Sequence, residues 1–172
     1  MVELSQLVGK YVSSAIIHGR ESWGGDHKLA NRHFKIYREA YCDLCKRGAI
    51  GINALKTLTD HESPFVRKVA AYSILPFDTR LGVLTLKKVR REPHGIGHNA
   101  GITLSEWNKG KLRFPLKHDG KIIYVSSKEL VCSLQTEWAK QGEDFGGLYA
   151  HKRHGRNTLS HYIRVLREYI RK

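Results

Sequence analysis

Residues 55–78 read LKTLTDHESPFVRKVAAYSILPFD, and this pattern predicts two short helices joined by a turn. Ser63 is a preferred N-cap residue. Pro64 fits the first position of the second helix, because its missing N–H would have no partner there in any case. Pro76 then ends that helix. Apolar or small residues at helical spacing form the inner face of the pair, namely Leu55, Leu58, Val66, Val69, Ala70, Ser73 and Ile74.

A helix pair with one apolar face buries that face by stacking on neighbouring helices, so the flanking sequence is expected to be helical as well. Apolar spacing predicts an amphipathic helix over residues 3–17 and a long helix over residues 26–46. The Gly-rich segment 19–25 predicts a loop between them, and the Gly- and His-rich segment 93–101 predicts a second loop.

The period changes after residue 111. Two extended apolar runs flank Asp119 and Gly120, and Asp-Gly between such runs is a strong β-hairpin signal. Ser126 and Glu129 have the spacing of a capping box, which predicts that a helix begins directly after the hairpin. A last helix is predicted near the C-terminus.

These patterns predict a mainly α protein, in which an antiparallel helical stack is followed by a small α+β unit of ββαα order. The predicted domains are residues 1–111 for the helical stack and residues 112–172 for the β-hairpin with its two helices. No long linker or low-complexity segment separates the two parts.

The first part of the chain, about residues 4–113, resembles a bacterial family of unknown function that is built from HEAT-like helices. The resemblance is carried by residues 60–67 (DHESPFVR), 70–72 (AAY), 75–78 (LPFD), 84–86 (LTL) and 104–112 (LSEWNKGKL). It implies a fragment of a helical solenoid, in which Asp60 and Arg67 are partners within one repeat and not a site. Some relatives in this family look like immunity proteins, which neutralise a toxin by binding it directly.

Charge is the strongest global feature of the sequence. The formal net charge is +14, with 30 Lys and Arg against 16 Asp and Glu. A field of this sign favours polyanions, so nucleic acid or an acidic protein is the expected partner. The candidate anion-binding residues lie at the end of a predicted helix and in the C-terminal part, and they are Lys87, Lys88, Arg90, Arg91, Lys152, Arg153, Arg156, Arg164 and Arg167.

The basic run at residues 151–156 (HKRHGR) has two interpretations. It is either a phosphate-contacting loop that leads into a helix N-terminus or a solvated surface loop. Cys42 and Cys45 form one CxxC pair, but a structural zinc site takes four ligands and no second pair exists in the sequence. We therefore expect two small buried or half-buried thiols, with no metal and no cofactor.

No nucleophile-and-base motif, phosphate-binding loop or zinc-protease motif is present in the sequence. We therefore expect a non-enzymatic binding protein. The one enzyme class that remains open is a HEAT-like DNA-repair glycosylase, which would use tryptophans such as Trp23 and Trp107 on a basic concave face. The other alternative is a protein-binding immunity, antitoxin or scaffold module.

The sequence also bears on membrane insertion and on the cellular compartment of the protein. The sequence holds no apolar run of about 18 residues, so no membrane span is expected. The N-terminal segment lacks a basic region followed by an apolar block, which argues against a signal peptide. Three cysteines make an odd and sparse set that favours a reducing compartment, so a cytoplasmic location is expected.

Overall fold

Helices dominate the computed structural model, which describes residues 2–93, 95–118 and 120–130. The helices are α1 (Leu4–Gly24), α2 (His27–Cys45), α3 (Ala49–Thr57), α4 (Pro64–Ile74), α5 (Thr79–Val89) and α6 (Gly95–Asn108), and the strands are β1 (Arg113–His118) and β2 (Lys121–Ser126). The prediction of a mainly helical chain with a small antiparallel sheet is therefore confirmed. None of these helices is both long and apolar enough to cross a membrane.

Helix α4 lies between two buried clusters and contributes to both. Its Val66, Val69 and Ile74 join side chains of α1, α2 and α3 in the first cluster. Its Ala71, with Leu75 directly after the helix, joins α5, α6 and the hairpin in the second. The Tyr11 hydroxyl of α1 lies 2.8 Å from the Ser73 hydroxyl of α4, which satisfies two polar groups inside the core.

Arg67 holds the turn before α4, although its ionic partner differs from the predicted one. Its Nη1 donates to the carbonyl oxygens of His61 at 2.9 Å and Glu62 at 2.7 Å. Its Nη2 pairs with the carboxylate of Glu92, which follows α5. Asp60 is exposed, and the structure gives it no bond to Arg67, so the predicted pairing of these two residues is wrong. The Arg67–Glu92 pair joins the chain that leaves α5 to the turn before α4.

Replacing Arg67 with methionine is expected to lower the free energy of unfolding by about 2 kcal/mol, because hydrogen bonds to charged groups are worth about 1.5–3 kcal/mol each and Arg67 is only partly buried. Asp60→Ala is the matched control, with an expected change of about 0.5 kcal/mol or less. Denaturant titration measures both variants. A larger loss of unfolding free energy for Asp60→Ala than for Arg67→Met would contradict this account and support the predicted Asp60–Arg67 pair.

The glycines of segment 19–25 do not form the predicted loop. Helix α1 runs through Gly19 and ends at Gly24, and Gly25 has a φ of 120° at its C-terminus. A Cβ at Gly19 would overlap the ring of Phe65, so this glycine permits a close contact between α1 and α4. The sequence pattern shows that a glycine is needed there, but not whether a turn or a close contact needs it.

The predicted loop over residues 93–101 is also wrong for most of its length, since α6 begins at Gly95. A Cβ at Gly97 would lie 2.5 Å from the carbonyl oxygen of Glu92 and 2.7 Å from that of Arg90. Gly97 thus lets α6 approach the chain that leaves α5.

Ser63 occupies the N-cap of α4, a position that serine favours, but its hydroxyl makes no cap hydrogen bond.

The β-hairpin prediction is confirmed. Strands β1 and β2 pair in antiparallel register, with His118 opposite Lys121. Gly120 has the positive φ, 74°, that a tight two-residue connection requires. The capping box is confirmed too, because the Ser126 N–H donates to Glu129 at 3.0 Å and the Glu129 N–H donates to the Ser126 hydroxyl at 3.3 Å. The predicted last helix lies outside the described residues.

His18 is a half-buried histidine between α1 and α2. Its Nδ1 lies 3.0 Å from the carbonyl oxygen of Ala30, so it acts as the donor. The imidazole also packs against the rings of Phe34 and Tyr37. Burial lowers the pKa of His18 below its ordinary value of 6.5, and the positive charge of Lys68 lowers it further.

Stability is therefore expected to fall on acidification. The unfolded chain binds a proton at His18 near pH 6.5, and the folded chain does so only at lower pH. Protonation therefore favours the unfolded chain, and the free energy of unfolding falls as the pH drops below 6.5. Urea titrations between about pH 7.5 and pH 5.5 measure the effect. His18→Gln, which keeps a donor for Ala30, should flatten this dependence. An unchanged dependence in that variant contradicts the assignment.

Candidate nucleic-acid interface

Four of the predicted site residues lie together at the C-terminus of α5. Lys87, Lys88, Arg90 and Arg91 occupy a stretch of five residues, and all four are exposed. We call them the α5 cluster. The helix exists because Leu86 and Val89 are buried on its inner face and the Asp78 carboxylate caps its start, accepting the Leu81 N–H at 3.1 Å. Cations at this end of a helix are favoured by the helix dipole.

The α5 cluster carries charge that is not neutralised locally. None of its members forms an ion pair with a residue that the structure describes. The nearest acidic residue in sequence is Glu92, and its carboxylate is taken by Arg67. Four uncompensated positive charges on one short surface create a field that attracts phosphate groups.

A groove of about 510 Å³ opens beside the α5 cluster, with Arg90 as the member that lines it. Gly97 and Gly101 also line the groove, and Gly101 lies beside the Arg90 side chain, where an added Cβ would be 3.7 Å from Nε. The polar side chains on the α6 side can donate or accept hydrogen bonds, and they are His98, Ser105 and Asn108. Among the described residues that line the groove there is no Asp or Glu. A guanidinium with neutral hydrogen-bonding groups suits a phosphate next to a sugar or base.

Trp23 places an aromatic ring at the end of the same α5–α6 connection. Its ring covers Gly95 at the start of α6, yet the residue is 56% exposed. With Phe65, Pro93 and Ile96 it lines an apolar pocket of about 300 Å³. Glu92 also lines this pocket, and its carboxylate is paired with Arg67. A flat, exposed aromatic surface is the kind of surface on which a nucleic-acid base stacks.

Trp107, the second tryptophan of the glycosylase alternative, is 4% exposed and packs edge-on against Phe114 at 6.1 Å. The two tryptophans therefore do not share an exposed face. The other five predicted anion-binding residues lie outside the described residues, and these are Lys152, Arg153, Arg156, Arg164 and Arg167.

Helix α2 carries a second set of exposed cations that the predicted site omits. Lys28, Arg32 and Lys35 are spaced four and three residues apart and so share one helix face. Arg38 has the spacing to continue this outer face, but it is half-buried, and its Nη1 donates to the Tyr124 hydroxyl at 2.6 Å. Only the exposed three could add to a polyanion surface.

Both described cysteines are buried, free thiols on α2. The Cys42 thiol donates to the carbonyl oxygen of Pro115 at 3.6 Å, which ties α2 to β1. Burial raises the pKa of Cys42 to about 12, so the thiol stays protonated at neutral pH. In the part of the chain that the structure describes, no three His, Cys, Asp or Glu residues come together as metal ligands would.

Comparisons with protein-family models, curated proteins and solved structures find no match for this chain. The HEAT-like family resemblance of residues 4–113 therefore stays a prediction.

Proposed function

We propose that this protein binds nucleic acid without catalysing a reaction, using the α5 cluster and the adjoining groove as its interface. The observation that carries the proposal is the α5 cluster itself, which presents four exposed and unpaired cations beside a groove lined by hydrogen-bonding side chains. The sequence adds Lys152, Arg153, Arg156, Arg164 and Arg167 as further phosphate contacts.

The proposed interface reads the backbone of the nucleic acid more than its bases. Lysine and arginine contacts to phosphate position a protein but carry no sequence information. Trp23 gives a stacking surface that any unpaired base fits, and stacking of this kind tolerates any sequence. We therefore expect weak sequence preference and a higher affinity for single strands than for a duplex of equal length.

Fluorescence anisotropy with labelled random-sequence oligonucleotides tests the proposal. Single-stranded and duplex forms are titrated with the full chain at about 50 and 200 mM salt, because phosphate-dominated binding weakens by orders of magnitude across this range. Binding at the lower concentration that is lost at the higher one is the expected result. Absence of binding at the lower salt concentration contradicts the proposal.

An acidic protein is the alternative partner, and one observation favours it. Ile102 lines the groove and is 48% exposed, and an exposed aliphatic residue contributes more to a protein interface than to a phosphate contact. Ile102→Ser separates the alternatives, because it should leave oligonucleotide affinity within about twofold, since rim contacts carry little energy, but should weaken a protein complex.

A further inference from the structure

A separate cavity of about 210 Å³ lies between α2, α4 and the β-hairpin. We call it the Lys68 cavity. Five of its twelve lining residues are aromatic, namely Phe34, Tyr37, Tyr41, Tyr72 and Tyr124. None of the α5 cluster residues lines it, so what it binds is independent of the proposed nucleic-acid interface.

The wall of this cavity is positively charged. Lys68 and Arg38 both line it, while no Asp or Glu is among its described lining residues. Lys68 is half-buried, and no hydrogen bond or ion pair joins it to another of the residues that the structure describes. A buried or half-buried cation without a counter-ion is costly, because the site replaces water with an apolar wall.

Arg38 adds a polar atom that also lacks a partner. Its Nε is buried and makes no hydrogen bond to a residue that the structure describes. Native proteins pair the large majority of buried polar atoms, so this N–H beside an unpaired ammonium group calls for an explanation. A ligand with acceptor oxygens would supply partners for Lys68 and for the Arg38 guanidinium.

We infer that the Lys68 cavity binds a small planar aromatic carboxylate, whose carboxylate faces Lys68 and Arg38 and whose ring lies among the tyrosines. A dry cavity of about 150 Å³ is known to hold a benzene ring, so 210 Å³ has room for one ring and one carboxylate. Aromatic side chains favour a planar ring through stacked or edge-to-face contacts.

Size and charge separate this ligand from the other candidates. Pockets for drug-sized ligands run from about 300 Å³ upward, so a nucleotide is too large for this cavity. An aliphatic acid would satisfy the cations but could not form stacked or edge-to-face contacts with the aromatic rings. Burial lowers the pKa of Lys68, and a bound carboxylate would favour its charged form.

Isothermal titration of the full chain with sodium benzoate near neutral pH tests the inference. Saturable one-site binding is the expected result. Benzamide has the same ring without the charge, and acetate has the charge without the ring. Each should bind about tenfold or more weakly, because each lacks one half of the recognition. No saturable benzoate binding, or equal binding of either comparator, overturns the inference.

Lys68→Met tests the cation directly, and Lys10→Met is the matched control on the exposed surface of α1. Loss of the charge partner should weaken benzoate binding about tenfold or more in Lys68→Met and leave it unchanged in Lys10→Met. Lys68→Met should still fold, since it replaces an unpaired cation with an apolar side chain of similar length, and its circular dichroism spectrum shows whether it does. Should it unfold, the comparison of benzoate, benzamide and acetate on the unaltered chain decides alone.

Discussion

Phe114→Ala is expected to lower the free energy of unfolding by about 3–5 kcal/mol, the range for removing a large buried aromatic side chain. Phe114 is fully buried in β1. Its ring stacks on Tyr72 of α4 with centroids 4.8 Å apart and meets Trp107 of α6 edge-on at 6.1 Å. This one side chain therefore joins the hairpin to two helices, and its removal leaves a cavity that neither strand can fill.

Unfolding by guanidinium chloride, followed by both circular dichroism and tryptophan fluorescence, measures this loss of stability. Lys121→Ala is the control within the same hairpin, because Lys121 is exposed and should change stability by about 0.5 kcal/mol or less. The two probes should report one transition, since Phe114 and Trp107 belong to one buried cluster. A loss below about 1 kcal/mol would show that the hairpin is not part of the core.

Oligonucleotide affinity is expected to depend strongly on the α5 cluster. Replacing all four residues of the α5 cluster by glutamine is expected to weaken oligonucleotide binding by on the order of 100-fold or more near 0.1 M salt, because each lost phosphate contact removes released counterions. The substitutions are exposed, so they should leave the fold intact. The measurement is the same anisotropy titration with single-stranded and duplex oligonucleotides.

A variant of equal charge separates a local interface from a general charge effect. Glutamine at Lys10, Lys46, Lys111 and Lys121 removes the same number of charges from exposed positions on α1, at the C-cap of α2, between α6 and β1, and on β2. This control should lose far less affinity than the α5 cluster variant. Equal losses for the two variants would mean that net charge, and not the α5 cluster, determines binding.

Elements whose signal is local could be predicted from the sequence. The apolar stripe of α4 and the Asp-Gly of the hairpin each predict a local structure from residues that are close together in the sequence. The capping box of Ser126 and Glu129 does so too. The predictions are wrong at residues whose role depends on a contact with a residue far away in the sequence. Gly19 is set by Phe65, and the ionic partner of Arg67 lies 25 residues away at Glu92.

The candidate sites show the same division. The α5 cluster is visible as a run of cations in the sequence, because exposure at a helix end follows from the apolar pattern. The Lys68 cavity has no such signal. Lys68 reads as a surface residue of an amphipathic helix and Arg38 as part of a basic outer face. Only the fold, which places residues of α2, α4 and the β-hairpin around one cavity, brings these two cations together.

The salt dependence of binding tests the central claim most directly. For duplex oligonucleotides, log affinity decreases with log salt concentration, and the magnitude of this slope decreases by about 0.9 for each phosphate contact removed. The α5 cluster variant should therefore show a slope shallower than that of the unaltered chain by about 3 to 4. Slopes that are equal within error, or no measurable binding by the unaltered chain, would contradict the assignment of the α5 cluster as a nucleic-acid interface.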